Sequence, residues 1–167
     1  MKINFDCPVY SQYDSNVKKS YRSSACGPTA VASILHFYKD DALSINQLYE
    51  ALHCTKIGLP AAFIHWFLPR AVQGNYSVRT LRLFEAIHWI QQKQPVAVKF
   101  DRYFSWKLNR PSYFKYHWTV MTGFYWKRDG LYLIVEDLGT PNRASRTHEI
   151  PYAPNAHALT FIGIQPT

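Results

Sequence analysis

One cysteine lies where a helix could activate it. Cys26 comes just before Gly27 and Pro28, and apolar residues then recur at the i, i+3, i+4, i+7 spacing of one helix face. Pro28 is tolerated only in the first turn, so the helix must begin close to Cys26. Unpaired N–H groups and the positive end of the helix dipole favour a thiolate there, which makes Cys26 a candidate nucleophile. A small buried thiol without a catalytic role is the alternative.

A thiolate nucleophile needs a base, and the base needs a group that orients it. His117 opens an apolar strand-like run after a long loop, and Asp137 ends the next such run. The intervening 128–130 segment, Arg-Asp-Gly, is typical of a hairpin turn. An antiparallel hairpin would bring His117 and Asp137 to the same edge of a sheet. The alternatives are a histidine that merely ends a strand and an aspartate that merely forms a turn.

Acyl transfer also requires donors for the developing oxyanion. Gln12, in the turn-rich segment before Cys26, is the candidate side-chain donor. Cys7 and Cys54 do not lie at helix starts and are expected to be structural thiols. With three widely spaced cysteines, we expect no disulfide framework, no metal site and no cofactor.

The elements that must position these residues change character along the chain. Ser44 and Gln47 form a capping-box pattern that predicts a second helix. A third helix is predicted over residues 80–92, with Leu83, Phe84, Ile87 and Ile90 inward. Strands are predicted over residues 96–100, 117–125, 131–137 and 159–164. Helices followed by strands predict an α+β fold with an antiparallel sheet, in a single domain over residues 1–167.

A resemblance to a known family rests on four motifs in one order. They are Gln12, ACGPTA around Cys26, HWTVMTGF from His117, and DLG from Asp137. The chain resembles the cysteine peptidases that process double-glycine bacteriocin leaders, and this likeness extends to the KQPVAV segment that begins at residue 93. It implies a papain-like fold and a hydrolase in which His117 activates Cys26, Asp137 orients His117, and Gln12 stabilises the oxyanion. Cleavage after two small residues is implied in the same way.

A basic and aromatic segment, residues 101–118, leads into His117. Residues 93–128 carry eight of the nineteen basic residues and only one acidic residue, which is +7 of the net charge of +8. We expect the segment to pack on the sheet and form one wall of a substrate cleft, which predicts a peptide or protein substrate with acidic residues near the cut. The substrate-contacting candidates are Arg102, Trp106, Arg110 and Trp118.

Two other functions use the same features. Basic residues interleaved with aromatic ones can bind single-stranded nucleic acid or another anionic surface, although we favour the cleft. The Cys26 site could also serve a papain-like amidase or acyltransferase that acts on a non-peptide substrate.

Composition and hydropathy exclude several classes of protein. At 167 residues with 16% aromatic residues, the chain can bury a core and is not disordered. No run approaches the 18 apolar residues typical of a membrane span, and the N-terminus does not resemble a secretion signal. A cytoplasmic location is therefore expected.

Overall fold

Helices occupy most of the first half of the chain and strands most of the second. The computed structural model describes residues 1–38, 43–103 and 110–167. Its helices are α1 (Cys26–Phe37), α2 (Ile45–Ala51), α3 (Ala61–Ala71), α4 (Leu83–Gln91) and α5 (Tyr152–Asn155), with a 3-10 turn at Ala156–Ala158. The strands are β1 (Lys2–Asn4), β2 (Tyr76–Leu81), β3 (Val96–Asp101), β4 (Tyr116–Lys127), β5 (Gly130–Asp137), β6 (Arg146–Pro151) and β7 (Leu159–Pro166).

Two predicted helix starts are confirmed. The helix α1 begins at Cys26, with Pro28 in its first turn. The helix α2 has the predicted capping box, in which the Gln47 N–H donates to Ser44 Oγ (3.2 Å) and the Ser44 N–H donates to Gln47 Oε1 (2.8 Å). These local signals suffice because the cap satisfies backbone groups that a helix end otherwise leaves unpaired.

The predicted third helix is wrong at its start and on one face. Residues 76–81 form the strand β2, and α4 begins only at Leu83, where Glu85 Oε2 accepts the backbone N–H of Arg82 (2.7 Å). Phe84 was expected to face inward but is 78% exposed, whereas Trp89 is buried. The helix α3 was not predicted, because its boundaries carry prolines, Pro60 before it and Pro69 within its last turn.

The strands form one antiparallel sheet, which confirms the α+β prediction. In the described residues the order is β2-β7-β3-β4-β5-β6, and β1 pairs with β4. All four predicted strands are present, and β4 and β5 form the expected hairpin, with Lys127 paired to Gly130. That register sets Asp137 opposite Thr119, two residues from His117.

The core lies on both faces of this sheet. On one face α1, α2 and α3 pack against residues such as Ala97, Trp118 and Val120. On the other face α4 covers Val98, Phe100 and their neighbours. This alternation follows from the two-residue period of a strand. It leaves α1 enclosed between the sheet and the other helices, so the start of α1 has a fixed position relative to β4.

Candidate active site

The start of α1 holds Cys26 rigidly. The first ten residues of the helix are all buried, and Cys26 itself is 4% exposed. Gly27 lies so close to the loop before α3 that a Cβ there would stand 2.7 Å from Cβ of Leu59. Within the described residues, no side chain caps this helix, so its first N–H groups are available to an anion.

His117 and Asp137 form a hydrogen-bonded pair at the edge of the β4–β5 hairpin. Nε2–H of His117 donates to Oδ1 of Asp137 at 2.7 Å, and the two side chains are 15% and 10% exposed. Cys26 also interacts with His117, and this interaction raises the pKa of the imidazole. Because Nε2 serves Asp137, Nδ1 is the ring nitrogen left for Cys26. The structure thus brings together the three residues that the sequence singled out.

His117 and Asp137 each shift the pKa of the other towards the charged form. Burial lowers the pKa of His117, but the hydrogen bond and charge of Asp137, together with the interaction with Cys26, outweigh burial and raise it to about 9. Burial raises the pKa of Asp137, but the hydrogen bond and charge of His117 outweigh that effect and lower it. A protonated His117 beside an ionised Asp137 is therefore favoured near neutral pH.

Gln12 is fixed beside Asp137 by its backbone. Its N–H donates to the carbonyl of Leu138 (2.9 Å), and Nε2 donates to the carbonyl of Arg22 (2.7 Å). The second Nε2 hydrogen is not needed for that bond. Burial is the main factor that raises the pKa of Tyr13, the next residue in the chain.

A second histidine contacts Asp137 from the other side and was missed in the sequence. His148 Nε2 lies 3.4 Å from Asp137 Oδ2 and accepts a hydrogen bond from Arg146 Nε at 3.0 Å. Its Nδ1 bonds the hydroxyl of Tyr113 at 2.8 Å. Burial and the charge of Arg146 lower its pKa, so it is neutral at pH 7. The alternating pattern of residues 146–150 was the one available signal for β6, the strand that carries it.

The residues expected to contact a substrate differ in how far they are exposed to solvent. Trp118 is fully buried and donates from Nε1 to the carbonyl of Leu59 (3.1 Å), so it supports the cleft from behind and cannot touch a substrate. Arg102 is half-buried and its guanidinium lies 5.8 Å from the ring centre of Tyr103, while Arg110 is exposed. Trp106 lies outside the described residues.

The described aromatic residues of the 101–118 segment pack on the site. The ring of Phe114 lies 5.1 Å from that of Phe100 and 4.8 Å from that of His117. Tyr113 packs against Phe114 and His148. These contacts shield the histidine pair from water, and Arg110 and Lys115 of the same segment are exposed.

The two remaining thiols have different surroundings from Cys26. Burial is the main factor that raises the pKa of Cys7 and of Cys54, in each case to about 12. Both are therefore neutral at physiological pH and poor nucleophiles.

A cysteine at the start of a buried helix, facing a His–Asp pair on an antiparallel sheet, is the arrangement of papain-like proteins. The chain belongs to the Peptidase_C39 like family, whose model matches residues 5–161. This match confirms the resemblance, and membership supports a cysteine peptidase. No curated protein matches the chain. Among the described residues, no helix has the length and apolar character needed to cross a bilayer.

Proposed function

We propose that the protein is a thiol hydrolase that cleaves a peptide bond with Cys26, His117, Asp137 and Gln12. The observation that carries the proposal is the 2.7 Å His117–Asp137 hydrogen bond, with Cys26 at the start of α1 close enough to His117 to raise the pKa of its imidazole. A merely structural histidine would not need a thiol at a helix start as one of its neighbours.

The first half of the reaction forms a thioester. His117 Nδ1 takes the proton of Cys26, and the sulfur attacks the peptide carbonyl carbon. Negative charge then develops on the carbonyl oxygen, which the Cys26 N–H and the second Nε2 hydrogen of Gln12 stabilise. The C–N bond breaks as His117 returns its proton to the leaving amine.

The second half restores the thiol. Water enters on the side of the departed amine, gives a proton to His117, and attacks the thioester carbonyl. The C–S bond breaks, and the sulfur recovers a proton from His117. Asp137 keeps the imidazole in one orientation throughout, since its carboxylate accepts the Nε2 hydrogen in each step.

Selective alkylation of Cys26 tests the nucleophile. We expect iodoacetamide to label Cys26 below pH 8 far faster than Cys7 or Cys54, whose pKa values lie near 12. Peptide mass mapping after short labelling measures the three rates. Labelling of His117→Ala should lose this preference, and equal slow labelling of all three thiols in the wild type would contradict the proposal.

Turnover of a peptide library tests the reaction class. Cys26→Ala and His117→Ala should each abolish cleavage, because residues that act as a unit cannot replace one another. Cys54→Ala is the matched control, since it removes a buried thiol near the site and should retain turnover. Hydrolysis of simple amides without cleavage of any peptide would instead assign the site to a non-peptide amidase.

A further inference from the structure

The second histidine beside Asp137 has no part in the chemistry described above. His148 lies on β6, the strand at the edge of the sheet, and its Nε2 is 3.4 Å from Oδ2 of Asp137 on the neighbouring strand β5. The His148 side chain is only 7% exposed. Because charges act strongly on each other where water is excluded, the protonation state of this ring acts directly on the carboxylate.

Both ring nitrogens of His148 have partners. Arg146 Nε donates to Nε2 of His148 at 3.0 Å, and the hydroxyl of Tyr113 lies 2.8 Å from Nδ1. Because a guanidinium can only donate, Nε2 is an acceptor without a hydrogen, and Nδ1 carries the hydrogen and donates to Tyr113. The Tyr113 backbone is fixed in turn, since its N–H donates to Oδ1 of the buried Asn155 (2.6 Å). The neutral ring is therefore held in one orientation.

In this orientation His148 leaves Asp137 to His117. The bare Nε2 of His148 faces Oδ2 without donating to it, and the ring occupies the space next to that oxygen. Among the described residues, His117 is the side chain that donates a hydrogen bond to the Asp137 carboxylate, at 2.7 Å. A carboxylate with one donor and a fixed ring on its other side keeps a single orientation, and catalysis is sensitive to displacements of about 1 Å.

Protonation of His148 would reverse this arrangement. The second proton binds Nε2, so that two N–H groups and two positive charges, those of His148 and Arg146, then face each other. Oδ2 of Asp137 becomes the acceptor within reach, since a shift of the ring by about 0.5 Å gives an ordinary hydrogen-bond distance. Two imidazolium rings would then share the carboxylate, and His117 would lose part of the interaction that orients it.

The charged and titratable groups around His148 come from four parts of the fold. They are Arg146 on its own strand, Asp137 on β5, His117 on β4 and Tyr113 in the segment before β4. Burial and the charge of Arg146 lower the pKa of His148. Asp137 opposes this shift and His117 adds to it, with a net lowering from 6.5. The ring is therefore neutral at pH 7 and becomes charged only in acid.

We infer that His148 is a positioning residue of the proposed hydrolase, which in its neutral form keeps Asp137 directed to His117 and in its protonated form competes with His117 for the carboxylate. The inference rests on the proposed function, because the pair on which His148 acts is the proposed base and the group that orients it. His148 acts through Asp137 and does not contact the reacting atoms. Its titration contributes to the acidic limit of activity, the pH at which kcat/KM falls to half.

Two variants should move the acidic limit in opposite directions. His148→Gln keeps an acceptor for Arg146 but cannot be protonated, so the limit should fall by about 0.5 to 1 pH unit. Arg146→Gln keeps a donor for His148 but removes a charge that opposes its protonation, so the limit should rise. Cleavage of one peptide from pH 4 to pH 8 measures both shifts. His88→Gln is the matched control, since His88 is exposed on α4 and pairs with Gln92.

An apolar replacement distinguishes positioning from support of the fold. His148→Leu removes both polar partners of the ring and should lower kcat by about 10- to 100-fold at pH 7.5 with KM nearly unchanged, because substrate still binds while the base is misdirected. His148→Gln should recover most of that loss. If His148→Leu fails to fold, the opposite shifts of His148→Gln and Arg146→Gln decide the question.

The outcomes separate this inference from the proposed function. Acidic limits that coincide in the wild type, His148→Gln and Arg146→Gln, or full activity of His148→Leu, would overturn the positioning role and leave the hydrolase intact. If Cys26 labels selectively but no peptide is cleaved, the rate of Cys26 alkylation takes the place of kcat/KM in the same comparison. Absence of cleavage together with unselective labelling of Cys26 would overturn the hydrolase itself.

Discussion

Asp137 lies between two histidines whose pKa values are shifted in opposite directions. His117 has a raised pKa, about 9, because Asp137 and Cys26 together outweigh the effect of its burial. His148 has a lowered pKa, because burial and Arg146 outweigh the attraction of Asp137. The same carboxylate thus holds one charged and one neutral imidazole. Their difference follows from which other partner each ring has, a thiol in one case and a guanidinium in the other.

This difference predicts two opposite pH dependences of stability. The His117 contribution, on the order of 1–3 kcal/mol, is fully present below the unfolded pKa of 6.5 and is lost as pH rises through about 9. The His148 contribution has the other sign, since a group whose pKa falls on folding destabilises the native state as pH drops below 6.5. Urea unfolding from pH 5 to pH 10 measures both effects.

Two single variants isolate the effects. The stability difference between the wild type and His117→Gln should shrink from pH 6.5 to pH 9. The difference between the wild type and His148→Gln should instead shift in favour of the variant as pH falls below 6.5. Difference curves that stay flat over the whole range would show that neither ring has the electrostatic environment described here.

At the scale of elements, the parts of the fold that depend on adjacent residues were predicted better than those that depend on long-range strand pairing. The start of α1, the capping box of α2 and the β4–β5 hairpin depend on a few adjacent residues, and all three are confirmed. The strand β2 depends on its pairing with β7, in which Tyr76 lies opposite Pro166, 90 residues later in the chain. Helical periodicity in the sequence instead predicted that the third helix begins at residue 80, inside β2. Tertiary pairing overrode local preference there.

The same distinction explains the site. Cys26, His117 and Asp137 are predictable because a helix start and one hairpin place them. His148 and Tyr116 depend on the register of β6 and on the loop before α3, neither of which the sequence pattern reveals. The buried position of Trp118 was missed for a related reason, since strand alternation alone does not say which face of β4 meets α1.

The loop before α3 should be sensitive to one added methyl group. Gly58 has φ +114°, and a Cβ there would collide with the hydroxyl and ring of Tyr116. Gly58→Ala should therefore reduce the free energy of unfolding by about 2–4 kcal/mol, through backbone strain and displacement of Tyr116.

Gly130 provides the matched control for this substitution. Its φ is +133°, and nothing lies within 4 Å of a Cβ built there. Gly130→Ala should reduce the free energy of unfolding only through backbone strain, by about 1–2 kcal/mol. Chemical denaturation measures both, and equal losses would mean that Tyr116 does not press on Gly58.

At the scale of the whole molecule, the basic charge is less concentrated at the cleft than the sequence count indicated. Lys127 and Arg128 lie at the far end of β4, roughly 35 Å from Tyr116 at 3.3 Å per residue. Lys93 precedes β3 at that same end, and Lys99 is paired with Asp101. Among the described residues, Arg102, Arg110 and Lys115 are the basic residues of the segment near His117.

We therefore predict only a small preference for acidic substrates. We expect peptides with acidic residues near the cut to be cleaved only a few-fold faster than basic ones at low ionic strength. The difference should vanish near about 1 M salt, where the screening length falls to about 3 Å. Matched peptide pairs of equal length measure it.

Two lysine variants locate the charge responsible. Lys115 is exposed and lines the surface hollow that also contains His117 and Asp137, so Lys115→Gln should reduce the preference for acidic peptides. Lys127→Gln removes the same charge at the far end and should leave the preference unchanged. An equal effect of both would indicate long-range steering by net charge instead of contact at the cleft.

The strand order has a consequence for when activity appears. The last strand in chain order, β7, lies between β2 and β3, so the centre of the sheet cannot close until residues 159–166 have emerged from the ribosome. Such long-range pairing forms late in folding. A nascent chain that already carries Cys26, His117 and Asp137 is thus still without a closed sheet, and we expect the proposed hydrolase activity to appear only after synthesis of β7.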